Sequence, residues 1–263
     1  MLRVSSFLAP RMLPAYRAVA ETVSRAVGIP AEVRAEVSYE PYRAGEPDIS
    51  FVCSLAYVVL EREGSIPAVP VAAPVVEGPR YGGRSVYFSD VVVRSGDAAD
   101  SFADLRGRGW AFNEPWSQSG YGVTRHRLLE MGETPGFFGS VVRAGSHERA
   151  LEMVLEGEVD ATAIDSHLLG VLLRDDPALA GSLKTVGELG PSTIQPVMVA
   201  SRHGEPLRRA IRDAVLSAHE DPRCRPALQD GMIERFVAVG PADYDDVRAM
   251  ASAVDAAGLP DLA

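Results

Sequence analysis

Residues 113–120 read Asn-Glu-Pro-Trp-Ser-Gln-Ser-Gly. Two hydroxyls and a carboxamide, those of Ser117, Ser119 and Gln118, are thus crowded just before Gly120. An apolar run at 110–112 precedes them and a helix-like segment follows. The first turn of a helix carries backbone N–H groups with no partner inside the helix, and it is the positive end of the helix dipole. Hydroxyl and amide donors added there, with a glycine permitting close approach, make a neutral donor set able to hold an anion without lysine or arginine. The competing reading is that Ser117 or Ser119 is an ordinary helix N-cap.

The same residue types recur where other strands end. Gly145, Ser146 and His147 follow one short strand, and Asp165, Ser166 and His167 follow another; Ser54 follows the strand at 49–52, with Tyr57 one helical turn on. His147 reads either as a donor to a ligand or as a helix-end residue, and Asp165 either as an acceptor or as an N-cap. Strand ends matter because open α/β sheets bind ligands outside the carboxyl ends of their strands.

The elements that would place these residues alternate along the chain. A strand at 2–7 leads to a helix near Leu13–Val27 that Gly28 closes, and "AEVRAEVSY" alternates as a half-buried strand should. "PDISFVCS" is β-rich and "LAYVVLERE" helical. "PAVPVAAPVV" reads as a strand that its prolines push to an edge or crossover, and "SVYFSDVVVR" as a second strand. "SFADLRG" is a short helix capped by Ser101. Then come strand "GWAF", helix 119–131, strand "GSVVR", helix 147–156 with Gly157 as its stop, and strand "DATAI". From Glu205 the signals are mostly helical, "CRPALQDGMIERF" included. The β-α alternation predicts an α/β fold with parallel sheets covered by helices.

Composition narrows the possibilities. The chain has 263 residues, 46% of them hydrophobic, enough for one large domain or two small ones. A formal charge of −10 argues against nucleic acid as a partner. No apolar run is long enough to insert in a membrane. The N-terminus lacks a basic start, an apolar core and a cleavage site, so the chain as it stands shows no signal peptide and is expected in the cytoplasm unless a precursor was trimmed. Cys53 and Cys224 have no metal-type spacing and read as two buried thiols in preference to a disulfide. No cofactor and no metal is expected.

In order and spacing, several motifs together resemble the solute-binding proteins of phosphate, phosphite and phosphonate ABC transporters. They are Tyr87-Phe88-Ser89, Asp104-Leu105-Arg106-Gly107, Ser117-Gln118-Ser119-Gly120, Phe137-Phe138, Gly145-Ser146-His147, Gly157-Glu158-Val159-Asp160 and Ile164-Asp165-Ser166. The resemblance implies a type II periplasmic binding protein fold, with one lobe from residues 1–88 plus 197–263 and the other from 89–196. Chain crossings are expected at 89–92 and 192–197, and a small oxyanion is expected in a cleft that closes by a hinge motion. It implies that Ser117, Gln118, Ser119 and His147 donate to the oxyanion, that Tyr57, Tyr87 and Ser54 contribute from the walls, and that Asp165 accepts a hydrogen bond. An ABC transporter permease is then the implied partner. Trp116, and Gln118 where the family often has threonine, depart from the pattern.

The rival reading is a cytoplasmic sensor or a small-molecule enzyme on the same fold. The chain has no Walker motif, no Gly-x-Ser-x-Gly elbow and no His-Glu-x-x-His. Asp165, Ser166 and His167 are triad residue types, but neighbours on one segment point apart and cannot line up as nucleophile, base and orienter. The expectation is binding without catalysis.

Overall fold

The computed structural model describes residues 1–64, 67–133, 136–259 and 262. The chain begins with β1 (Leu2–Ser6), α1 (Leu13–Val27), β2 (Ala31–Ala35), the single turn α2 (Glu40–Arg43), β3 (Ile49–Phe51), α3 (Ser54–Arg62) and β4 (Ala68–Val76). Next come β5 (Val86–Arg94), β6 (Gly109–Phe112), α4 (Val123–Glu130), β7 (Ser140–Arg143), α5 (His147–Glu156), β8 (Ala161–Asp165), α6 (Ser166–Asp175), α7 (Pro177–Ser182) and β9 (Leu183–Thr193). The last part holds β10 (Val197–Ala200), α8 (Glu205–Leu216), α9 (Arg225–Asp230), β11 (Ile233–Ala238) and α10 (Asp245–Ala256).

Two compact units result. The first combines Met1–Val86 with Thr193–Asp245, the second Tyr87–Ser192 with Asp246–Ala263. The sequence reading has the chain pass between units twice and leaves 246–263 with the first lobe. The chain passes a third time, at 245/246. The reason is visible in the bonds the terminal segment makes inside the second unit: Met250 Sδ accepts from the Gln118 amide, and the Leu259 carbonyl accepts from Arg125.

In the first unit a six-stranded sheet runs β11-β4-β10-β3-β1-β2. β1 pairs in parallel with β2 and β3, while β10 pairs antiparallel with β3 and β4, and β11 antiparallel with β4. The α/β class is as expected, with mixed sheets. α1 packs its Tyr16, Val19, Ala20 and Val23 inward at the spacing of one helical face, and Gly28, at φ 69°, ends it. The Tyr16 ring stacks on Phe51 of β3 at 4.1 Å.

Two local expectations are corrected here. β4 is paired on both sides and is no edge strand. Its Pro70 and Pro74 are accommodated by register shifts near them in both partners, at Val197/Met198 and at Ile233/Arg235. The segment after α9 is strand and not helix. Met232, with φ 51°, breaks the helical path, and β11 covers the edge that β4 would otherwise expose.

The second unit is built on a five-stranded sheet, β7-β6-β8-β5-β9. β6 is parallel to β7 and β8, and β5 is antiparallel to β8 with Ser89 opposite Asp165. Its core joins Val92, Leu151, Ile164 and Leu169. An aromatic cluster adds to it, with Trp110 stacked on Phe138 at 4.5 Å and Phe102 on Phe137 at 5.5 Å. Cys53 and Cys224 are buried and not joined in a disulfide. Among the described residues no helix is long and apolar enough to cross a membrane.

Candidate functional site

Parallel pairing sets the carboxyl ends of β6, β7 and β8 along one edge of the second unit's sheet, and antiparallel β5 brings Ser89 to the same edge. Each of the three parallel strands runs through a short polar turn into a helix. Beyond β6 the chain makes a π-helical turn, Gln118–Gly122, before α4. Beyond β7, Ser146 caps α5 by accepting from Arg149 N at 3.0 Å, which makes His147 the first helical residue. Beyond β8, Asp165 caps α6, its Oδ1 accepting from His167 N at 2.8 Å and Leu168 N at 3.3 Å. Two backbone bonds zip the first two turns together, from Ala144 N to Phe112 O and from Gly145 N to Asn113 O, both 2.8 Å.

That zipping sets His147 against the β6 turn. Its Nε2 lies 3.0 Å from Ser119 Oγ, which lies 3.4 Å from Ser117 Oγ. Ser117 Oγ accepts from Gly120 N at 3.1 Å, so Ser117 is a real N-cap as well as part of the hydroxyl pair. Its carbonyl receives Gly122 N at 2.9 Å, the i to i+5 bond that opens the turn to π geometry. From the opposite side Ser89 Oγ donates to the Ser119 carbonyl at 2.5 Å. Gly120 is required here for space, because a Cβ would fall inside the Asn113 carboxamide and within 3.2 Å of His147 Cε1.

Among the described residues, those that form the cradle, Ser117, Ser119, His147 and Asp165, include no lysine or arginine. Burial pushes the His147 imidazole down to about 4, against the opposing pull of the Asp165 charge and the Ala163 carbonyl. The ring is therefore neutral at pH 7. Beside it, burial raises Glu114, and Arg143 acts against that rise. The arrangement can offer hydroxyl, imidazole and backbone N–H donors, with the Asp165 carboxylate nearby as an acceptor. Among the described residues no group of three or more His, Cys, Asp or Glu side chains is placed to hold a metal.

Of the residues singled out from sequence, Ser117, Ser119, His147 and Asp165 come to this one edge, and Tyr87 is the second residue of the β5 strand that reaches it. Gln118 lies in the same turn, but its side chain is turned away: Nε2 donates to Ser192 Oγ at 3.1 Å and to Met250 Sδ at 3.2 Å. Ser54 and Tyr57 belong to α3 of the first unit. Ser54 Oγ is buried with no hydrogen-bond partner, and Tyr57 Oη donates to Glu61 Oε1 at 3.0 Å.

Sequence reasoning passed over Ser89, Asn113, Ser192 and Met250 as parts of the site. Ser89 and Asn113 carried a usable signal, a polar residue inside or just after an apolar strand. Met250 carried none, since it lies 132 positions from the amide it meets.

A sequence model of the family described as "ABC transporter, phosphonate, periplasmic substrate-binding protein" matches residues 3–244. Among solved structures, a binding protein component of an ABC phosphonate transporter from Pseudomonas aeruginosa is 16% identical at a TM-score of 0.82, covering 97% of this chain and 88% of that one. PhnD1 from Prochlorococcus marinus, solved in complex with methylphosphonate, is 15% identical at 0.82, covering 97% and 98%. A Xanthomonas citri protein, XAC2383, bound to ATP is 21% identical at 0.68, covering 97% of each chain. At these identities the likeness is one of fold.

Proposed function

We propose that this chain, which belongs to the family of periplasmic substrate-binding proteins of phosphonate ABC transporters, binds a small phosphorus oxyanion at the Ser117, Ser119 and His147 cradle. The ligand is a phosphonate, a phosphite or phosphate, and the receiving partner is the permease of an ABC transporter. One observation carries the reading: two buried hydroxyls and a buried neutral imidazole meet at the open first turn of a helix. Such a turn stabilises negative charge through its N–H groups and dipole. Gln118 supports the turn from behind through Ser192 and Met250, with its backbone in the cradle.

Asp165 sets the selectivity. A protonated phosphorus oxyanion has an O–H to give to a carboxylate, whereas sulfate has none and meets only repulsion. Tyr87 contributes a wall beside the cradle. The ligand leaves unconverted, in keeping with a family of substrate-binding proteins.

Calorimetric titration of protein refolded to strip carried ligand tests this, against phosphate, phosphite, methylphosphonate, 2-aminoethylphosphonate, sulfate and ATP. Micromolar or tighter binding of a phosphorus oxyanion with no heat from sulfate is expected. Phosphorus NMR of the ligand after incubation should show it unchanged. Silence across the panel would remove the assignment.

The site itself is tested by Ser119→Ala and His147→Ala. Ser119→Ala removes one hydrogen bond to a charged ligand and His147→Ala the ring that supports that hydroxyl, each worth about 1.5–3 kcal/mol, so each should weaken affinity by about tenfold or more with the fold intact by circular dichroism. Unchanged affinity in both would place the ligand elsewhere.

A further inference from the structure

We infer that anion binding at this cradle takes up one proton from solvent and that His147 holds it. The inference rests on the cradle being the ligand site, and it comes from counting hydrogens. Around the ring stand Ser119 Oγ, 3.0 Å from Nε2, the Ala163 carbonyl, and Asp165 at the end of β8. Asp165 is the charged group that acts on the ring. Glu114 and Arg143, at the exits of β6 and β7, act on each other, and Glu148 follows His147 on its own helix. Nδ1 makes no hydrogen bond of good geometry.

A neutral imidazole has one N–H and one lone pair. The hydrogen on Nδ1 is favoured in the free protein, because the alternative turns a lone pair toward the Ala163 carbonyl. Nε2 then accepts, and the hydrogen it accepts is that of the Ser119 hydroxyl. In that state Ser119 has nothing to donate to an anion. Its carbonyl is already held by Ser89 Oγ, which fixes the turn and keeps Ser119 from withdrawing.

An arriving oxyanion needs the Ser119 hydrogen. Once that hydrogen turns to the ligand, two lone pairs face each other across 3.0 Å, on Nε2 and Oγ. A proton on Nε2 removes the conflict. The imidazolium then donates to Ser119 Oγ and toward Ala163, and Asp165 and the bound anion both stabilise its charge. Burial, which disfavours the cation in the free protein, is offset by a counter-ion that arrives with the ligand. Within this family assignment the recognised species is therefore an oxyanion accompanied by a proton, and one fewer negative charge is buried than the ligand carries in solution.

The test is calorimetry of methylphosphonate binding at about pH 6, where the ligand already carries the proton it gives to Asp165, in two buffers of different ionisation enthalpy, for the unaltered protein and for His147→Gln. Histidine ring-nitrogen NMR of the unaltered protein, free and saturated, accompanies it. Uptake near one proton is expected, falling toward zero in His147→Gln, with a neutral ring in the free protein and an imidazolium in the complex. Affinity should weaken close to tenfold per pH unit from about pH 5 to 7.

Binding without proton uptake, or a neutral His147 ring in the complex, would overturn the inference and leave the ligand assignment standing. Uptake that persists in His147→Gln would place the proton on another group and overturn it too. Absence of binding by every phosphorus oxyanion would overturn the ligand assignment first. The NMR arm decides the question even if His147→Gln fails to fold.

Discussion

Gly120→Ala is expected to lower ligand affinity by about a hundredfold or more and to cost about 1–3 kcal/mol of stability in urea melts. The added methyl has nowhere to go. It would lie 2.0 Å from Asn113 Oδ1 and press on His147 Cε1 at 3.2 Å. The backbone cannot yield freely, since Gly120 N is bonded to Ser117 Oγ and Gly122 N to Ser117 O. Relief must come from the Asn113 carboxamide or the His147 ring, and moving either spreads Ser119 from His147. The Ser119 hydroxyl and the ring that supports it are then misplaced together.

The double variant Asn113→Ala with Gly120→Ala makes the test specific. Removing the carboxamide opens room for the methyl, and a buried acceptor with no donor disappears at the same time. Stability should return most of the way, a coupling that independent sites would not show. Wild-type affinity in the single variant would mean the close packing at Gly120 is irrelevant to binding.

The second large effect is on stability as pH falls. His147 titrates near 4 in the folded protein because burial opposes its charge, against an ordinary value of 6.5. Folded protein thus holds fewer protons than unfolded protein between those values. Its contribution is fully present above pH 6.5, is lost as pH falls toward 4, and changes no further below that. The full loss is at most about 3 kcal/mol.

Two other shifted groups also contribute to the pH dependence. Glu114, raised chiefly by burial, contributes stability at low pH that is lost as pH rises through its folded value, the opposite sense. At Asp48 burial alone would raise the carboxyl, but the Arg3 N–H together with His203 and Arg202 outweighs it and leaves it lowered. Its contribution is present above the ordinary carboxylate value and lost below it. Thermal melts of the unaltered protein and of His147→Gln, from pH 4 to 8, cancel both and isolate the imidazole. The unaltered protein should lose stability relative to the variant between pH 6.5 and 4. Parallel curves would show that His147 is not held neutral by burial.

Much of this was decided by the sequence alone, wherever the cause is local. Gly28 and Gly157 stop their helices because each adopts the left-handed conformation that a side chain resists, at φ 69° and 80°. Ser101 and Ser146 announce helix starts because a hydroxyl can satisfy a backbone N–H three residues on. The polar turns at 117–119, 145–147 and 165–167 were legible for the same reason, and strand alternation placed most of the sheets.

Only the tertiary structure decided the rest. "IERF" became strand because β4 offered an open edge, a fact invisible in any window of the chain. β4 kept its prolines inside a sheet because its partners shifted register around them. Gln118 faced away from the cradle because Met250 and Ser192 supplied acceptors for its amide. His147 became neutral because packing, and not its neighbours in sequence, removed water from the ring. Local rules set where elements begin and end, whereas partners, pairing and protonation belong to contacts between residues far apart in the chain.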